Sequence, residues 1–332
     1  MRNLENKIDE LIATKSVGRL AVRVGKGAEI LYDTFRGKVD NETLFDMASV
    51  TKILATNTLG LMAIDKGLLK LEDSVSKFYP TEKSMTIENL FTHTMGVGHK
   101  PLNFQGYTYE NIAEKILEIP SDIPIGTDVL YSCPGFILLG KILEKVIGKK
   151  LDVAFDEWVA KPLGMKSTSF RPTEKGNMVN ANLVDEQLGI VHDYNCRFLG
   201  CVAGNAGVFS NINDLTKYVG MLLNCGAPLV SEKTFATAVK NYTGTMSASR
   251  GLGFLYVDQR YGQTGGLFAD GAIGHCGHTG QSLFVDYRTG LYAIILSDAT
   301  VSTQKKYGGE RYDDVMKMRA DVHAAIKEDL GV

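Results

Sequence analysis

The sequence predicts an α/β protein with an inserted all-α lobe, and three observations carry that prediction. Strand-like segments lie at both ends of the chain, helical periodicity fills the middle, and no Pro-rich or low-complexity linker divides the two. Near the N-terminus, Leu4 to Ala13 reads as a short helix. Two strands follow, near Arg19 to Val24 and Glu29 to Phe35, joined at the turn-forming Gly25-Lys26-Gly27. At the far end, Gln281 to Asp286 and Gly290 to Leu296 read as a second strand pair across Tyr287-Arg288-Thr289, with a helix from about Arg311 to Leu330. Both termini are therefore expected to build one α/β lobe, residues 1–45 and 250–332. Between 46 and 249, apolar residues recur at helical spacing in Ile53 to Ile64, Ile112 to Ile119, Phe136 to Val146, Phe155 to Val159 and Leu215 to Leu223. A cleft between the two lobes is the natural ligand site.

Composition narrows the function. The chain has 332 residues, 44% of them hydrophobic and 22% charged, enough to bury a sizeable core. A net charge of -2 with no block of like charges excludes the electrostatic footprint of a nucleic-acid binder and leaves a small molecule or short peptide as the expected partner. Asn3, Glu5, Asp9 and Glu10 fall where a secretory signal needs an apolar stretch, and no run approaches membrane-spanning length. A soluble, cytoplasmic protein without a membrane partner is expected. Five cysteines, Cys133, Cys196, Cys201, Cys225 and Cys276, form no CxxC pair and read as free thiols in a reducing compartment, with no cofactor implied.

Three short segments hold residues able to do chemistry. In Phe45-Asp46-Met47-Ala48-Ser49-Val50-Thr51-Lys52, serine and lysine are three apart at the start of an apolar run, which places both on one face in the first turn of a helix. The positive end of that helix would stabilise an alkoxide on Ser49 and disfavour protonation of Lys52, so that the amine acts as base near neutral pH. Tyr131-Ser132-Cys133 lies in a loop before a helix opening near Pro134, from which the phenol can reach Ser49; packing through the ring is the plain alternative. Gly274-His275-Cys276-Gly277-His278-Thr279-Gly280 precedes the strand at Gln281, and its glycines leave amide N–H groups free as oxyanion donors. Two histidines and a cysteine could also suggest a metal, but carboxylates at ligand spacing are missing nearby, so no metal is expected.

In this order the three segments resemble the S-x-x-K, Y-x-N and K-T-G boxes of serine β-lactamases and penicillin-binding proteins, in the class C-like branch that includes DD-peptidases and esterases. The likeness runs from about Phe45 to Thr300 and includes LFTHTMG (Leu90 to Gly96), PLGMKSTSF (Pro162 to Phe170) and GNAGVFSNINDL (Gly204 to Leu215). The resemblance implies a β-lactamase/transpeptidase-like fold, with an antiparallel sheet flanked by helices from both termini. It also implies Ser49 as nucleophile, Lys52 as partner base and Tyr131 as proton relay. His275-Cys276-Gly277 falls on the third box, the register His278-Thr279-Gly280 being the alternative. In the first register the N–H of His278 joins that of Ser49 as the oxyanion hole.

Three positions depart from the family pattern. Cys133 stands where the second box has Asn or Asp, His275 replaces the third-box lysine, and Cys276 its hydroxyl residue. A mostly neutral histidine and a weak thiol donor are poor holders of a substrate carboxylate, so recognition of carboxylates should be impaired. The sequence therefore reads first as an acyl-enzyme hydrolase of a small ester or amide. A DD-peptidase or β-lactamase, with β-lactams as covalent ligands, comes second, and a penicillin-binding module without efficient turnover third.

Overall fold

The computed structural model describes residues 1–102, 105–172, 177–179, 188–300 and 315–332. Its centre is a six-stranded antiparallel sheet in the order β2-β1-β8-β7-β6-β5. The strands are β1 (Leu20–Lys26), β2 (Glu29–Arg36), β5 (Leu255–Tyr256), β6 (Ile273–Cys276), β7 (Ser282–Val285) and β8 (Leu291–Ser297), while β3 (Phe45–Asp46) and β4 (Phe209–Ser210) form a separate small pair. The chain's two ends meet in the middle of the large sheet, where β1 pairs with β8 from Leu20↔Ser297 to Lys26↔Leu291. The β1–β2 turn falls on Gly27 and Ala28 rather than on Gly25-Lys26-Gly27, because Gly25 and Lys26 continue the ladder opposite Ile30 and Glu29.

Alternation along the central strands explains why their sequences are apolar almost throughout. Leu20, Val22 and Val24 of β1, with Ala293 and Ile295 of β8, pack against Leu4 and Ile8 of helix α1 (Arg2–Ala13) and Val322 and Ile326 of the C-terminal helix Val315–Leu330. Ala21, Tyr292, Ile294 and Leu296 point the other way, into the larger core built by the helices of the middle of the chain. Arg23 is buried on that second face, where Asp33 pairs with it at 2.6 Å and Asn213 and Thr216 accept its other N–H groups. The expected residues Arg311 to Asp314 of the last helix lie outside the described residues.

The expected helix Ile53 to Ile64 is real but starts irregularly. A 3-10 turn, Ala48–Val50, leads into a wide π-type turn, Lys52–Asn57, and only then into α2 (Thr58–Asp65). The wide turn is completed by side chains: the Ile53 carbonyl accepts from Thr58 Oγ1 at 2.8 Å and from Tyr218 Oη at 2.8 Å. Tyr218 comes from the long helix Ile212–Leu223, so this helix fixes the register of the segment that carries Lys52. The second box ends in helix Cys133–Ile147, capped by Ser132, whose Oγ accepts from the Gly135 N–H at 3.0 Å, with Pro134 in its first turn and Gly148 closing it at φ 72°. Phe136, Leu138, Leu139, Ile142 and Leu143 bury this helix deeply. Among the described residues no helix is long and apolar enough to cross a membrane.

Candidate active site

Ser49 sits on a strained approach. Ala48, just before it, has φ 45°, a left-handed conformation uncommon for a residue with a side chain, and the Asp46 carboxylate holds it there by accepting the Ala48 N–H at 2.8 Å. The other Asp46 oxygen accepts the His192 N–H at 2.7 Å, and burial raises this carboxyl to about 6. The turn is thus pinned from below while the Ser49 side chain stays partly open.

Lys52 is fully buried, and its Nζ lies 3.0 Å from Ser49 Oγ, 2.9 Å from the Asn205 carbonyl and 3.5 Å from Cys133 Sγ. The Asn205 carbonyl reaches it because Gly204 packs directly on the second-box helix: a Cβ there would stand 2.0 Å from the Phe136 carbonyl oxygen. The Tyr131 hydroxyl donates to Ser49 Oγ at 2.7 Å, so the serine oxygen faces two donors. Behind the phenol, His93 stacks on the Tyr131 ring at 4.7 Å and accepts the Ser132 N–H on Nδ1 at 3.0 Å, which locks the second-box loop.

Electrostatics correct one expectation. Burial pulls the Lys52 ammonium down, but negative charge on Cys133 and Tyr131 outweighs it, and the amine is held above its ordinary value. Burial pushes the Cys133 thiol up, while Lys52 and a hydrogen bond from His99 pull it down further, to a net lowering. The direction for Lys52 is thus opposite to the lowering expected from the helix end, and that for Cys133 favours the thiolate. The sulfur 3.5 Å from Nζ is a neighbour that the helix-end argument leaves out. Burial raises the Tyr131 phenol, against the opposing pull of Lys52.

Within the third segment, His275 and Cys276 lie in β6, opposite Leu283 and Ser282, and the turn toward β7 begins at Gly277. His275 Nδ1 sits 2.7 Å from the Cys276 carbonyl oxygen, which only accepts, so Nδ1 carries the ring proton and the buried Nε2 is a bare lone pair. Burial, Lys52 and Arg250 all push this histidine well below its ordinary value, and it is neutral, as expected for a poor lysine substitute. Its ring lies 6.2 Å from that of Tyr131. Cys276 points to Tyr261, with Sγ 3.3 Å from the hydroxyl.

Gly277 touches the nucleophile's own turn. A Cβ on it would lie 2.7 Å from the Met47 carbonyl oxygen and 3.3 Å from Ala48 Cβ. Thr279 Oγ1 and Gln281 Nε2 both donate to the Asp46 carbonyl, which ties the turn after β6 to the same segment. Gly277→Ala is therefore expected to push β6 away from Ser49 and to lower kcat/KM on the order of 10²-fold. Full activity in a folded variant would show that the contact does not set the geometry.

The structure brings Ser49, Lys52, Tyr131, Cys133, His275 and Gly277 together, and places the His278 backbone next to them. It also shows residues that sequence reasoning missed. Arg250 is 7% exposed, its guanidinium lies 5.8 Å from the Tyr131 ring, and its Nε and Nη1 have no partner among the described residues. No local pattern around Ser249-Arg250-Gly251 signals this. His93, inside the family-like LFTHTMG phrase, and Asn205, inside GNAGVFSNINDL, were visible as parts of phrases but not as side chains with roles. Among the described residues no cluster of His, Cys, Asp and Glu has the arrangement of a metal site.

The sequence profile of the beta-lactamase family matches residues 4–315. The chain belongs to the beta-lactamase family. It is 26% identical to an N-acetylmuramyl-L-alanine amidase of Bacillus subtilis, across 82% of this chain and 71% of the relative. A putative D-alanyl-D-alanine carboxypeptidase of Escherichia coli is 28% identical across 79% and 70% of the two chains. Among solved structures, the hydrolase EstCE1, described as having promiscuous acyltransferase activity, superposes with a TM-score of 0.78 at 19% identity, over 97% of this chain and 98% of its own. The beta-lactamase/transpeptidase-like fold and a serine hydrolase function of this family follow.

Proposed function

We propose that the protein hydrolyses a small ester or amide through an acyl-enzyme on Ser49. The observation that carries this reading is the double hydrogen bond to Ser49 Oγ, from Lys52 at 3.0 Å and Tyr131 at 2.7 Å. The Lys52–Cys133 pair exchanges one proton: ammonium and thiolate become amine and thiol, a neutral form that burial favours. The free amine then takes the Ser49 proton as Oγ attacks the substrate carbonyl. Tyr131 gives its proton to the leaving oxygen or nitrogen and is reprotonated by Lys52, and the N–H groups of Ser49 and His278 hold the oxyanion. Water reverses the sequence on the acyl-enzyme. Residues 1–45 with 250–332 form one wall of this cleft and 46–249 the other. Five unpaired thiols suit a reducing compartment, and we place the protein in the cytoplasm on that ground.

Arg250 favours a second reading, in which the acyl donor carries a carboxylate, as β-lactams and D-Ala peptides do. An always-charged guanidinium, buried and with its Nε and Nη1 lacking an acceptor among the described residues, is a ready partner for an anion. Arg250→Met is then expected to slow acylation by penicillin G about tenfold or more relative to a neutral p-nitrophenyl ester. An unchanged ratio would leave the neutral ester as the better match.

Intact-mass spectrometry after exposure to p-nitrophenyl esters, D-amino-acid amides and penicillin G tests the main reading. Turnover or a covalent adduct with a member of this panel supports it. Neither, across the whole panel, would overturn it in favour of a non-catalytic module.

A further inference from the structure

We infer that Arg319, on the C-terminal helix Val315–Leu330, is a positioning residue for acyl transfer: it grips the Gly277 carbonyl and thereby aims and polarises the His278 N–H as an oxyanion donor. Arg319 is 4% exposed, and its Nη2 donates to the Gly277 carbonyl oxygen while Nη1 donates to Gln263 Oε1 at 2.9 Å. Gln263 is held where it is because the helix lies directly on the turn Gly262–Thr264 and the residue after it: a Cβ on Gly265 would stand 2.3 Å from the Ala320 carbonyl oxygen. The guanidinium is thus aimed by packing, and among the described residues no carboxylate shares it.

One peptide plane links Arg319 to the site. In a trans peptide the carbonyl oxygen and the following N–H point in opposite directions. With the Gly277 oxygen turned back to Arg319, the His278 N–H must point away from the helix. Gly277 rests against the Met47 carbonyl and the Ala48 Cβ, so the strand end stands beside Ser49. Among the described residues this N–H meets no acceptor. A cation on the carbonyl of the same amide also withdraws electron density from its nitrogen, which strengthens the N–H as a donor. The gain is realised when negative charge grows on the substrate oxygen, not when a neutral carbonyl first binds.

This inference rests on the acyl-enzyme reading, and the test separates the two. Each variant is assayed with an ester and with its thionoester, whose larger, weaker-accepting sulfur profits little from an oxyanion hole. The ratio of the two rates on one sample cancels any difference in the active fraction. Arg319→Met is expected to lower kcat on the ester about tenfold to a hundredfold, below the roughly 10²–10³-fold cost of deleting an oxyanion donor. KM should stay within about twofold, and the ester-to-thionoester ratio should fall with kcat. Arg319→Lys should recover much of the ratio, and Arg319→Gln, a donor without charge, less. An unchanged ratio, or a raised KM with kcat intact, would overturn the inference. If Arg319→Met does not fold, the ratio in Arg319→Gln decides by the same criterion. Turnover that survives in Ser49→Ala would instead overturn the acyl-enzyme reading and leave the ratio without meaning.

Discussion

Lys52→Ala is expected to lose acyl transfer almost as completely as loss of the serine itself, on the order of 10⁴-fold in kcat/KM, because residues that act as a unit are not additive. Lys52 Nζ touches Ser49 Oγ, the Asn205 carbonyl and Cys133 Sγ together. Its removal strips the serine of its proton acceptor and the thiol of its counter-charge in one step. The fold should survive, since Cys133 reverts to a neutral thiol and no buried charge is left unpaired. That gives a second readout. Alkylation of Cys133 in the folded protein by a small neutral reagent, measured against pH, should move to higher pH in Lys52→Ala, because the cation that lowers the thiol is gone. A loss of activity below about tenfold would assign the base elsewhere, and an unmoved thiol profile would dissolve the proposed Lys52–Cys133 proton exchange.

Much of the scaffold was readable from local pattern, and the reasons differ by element. The strands that meet at the centre of the sheet announce themselves because both faces are covered, which demands nearly unbroken apolar runs such as Leu20 to Val24 and Tyr292 to Leu296. The wide π-type turn at Lys52–Asn57 could not be read, since it is set by Tyr218, more than 150 residues downstream, reaching the Ile53 carbonyl. The side chains still meet at the S-x-x-K spacing, with Lys52 Nζ 3.0 Å from Ser49 Oγ.

The chemistry was less legible than the scaffold. Family spacing named Ser49, Lys52 and Tyr131, but the charge state of Lys52 depends on Cys133 and Tyr131, which sequence spacing cannot bring within a few ångströms. The third box illustrates the same limit. At the position of the third-box lysine, His275 is held well below its ordinary value, while a buried guanidinium with two unpartnered nitrogens among the described residues comes from Arg250, 25 positions earlier on a segment with no motif. Arg319 is invisible for a different reason: its contact with the third box is to a backbone carbonyl, which leaves no complementary residue type to find there.

Acylation at Ser49 is tested by covalent labelling with a fluorophosphonate, followed by peptide mapping. The wild-type protein is expected to take up one label, on the peptide containing Ser49, and Ser49→Ala none, with turnover of the best ester falling on the order of 10⁴-fold or more. The variant should unfold at nearly the wild-type temperature, because a single partly exposed hydroxyl adds little to stability. Labelling that persists undiminished in folded Ser49→Ala, or that maps to another residue in the wild type, would contradict the account.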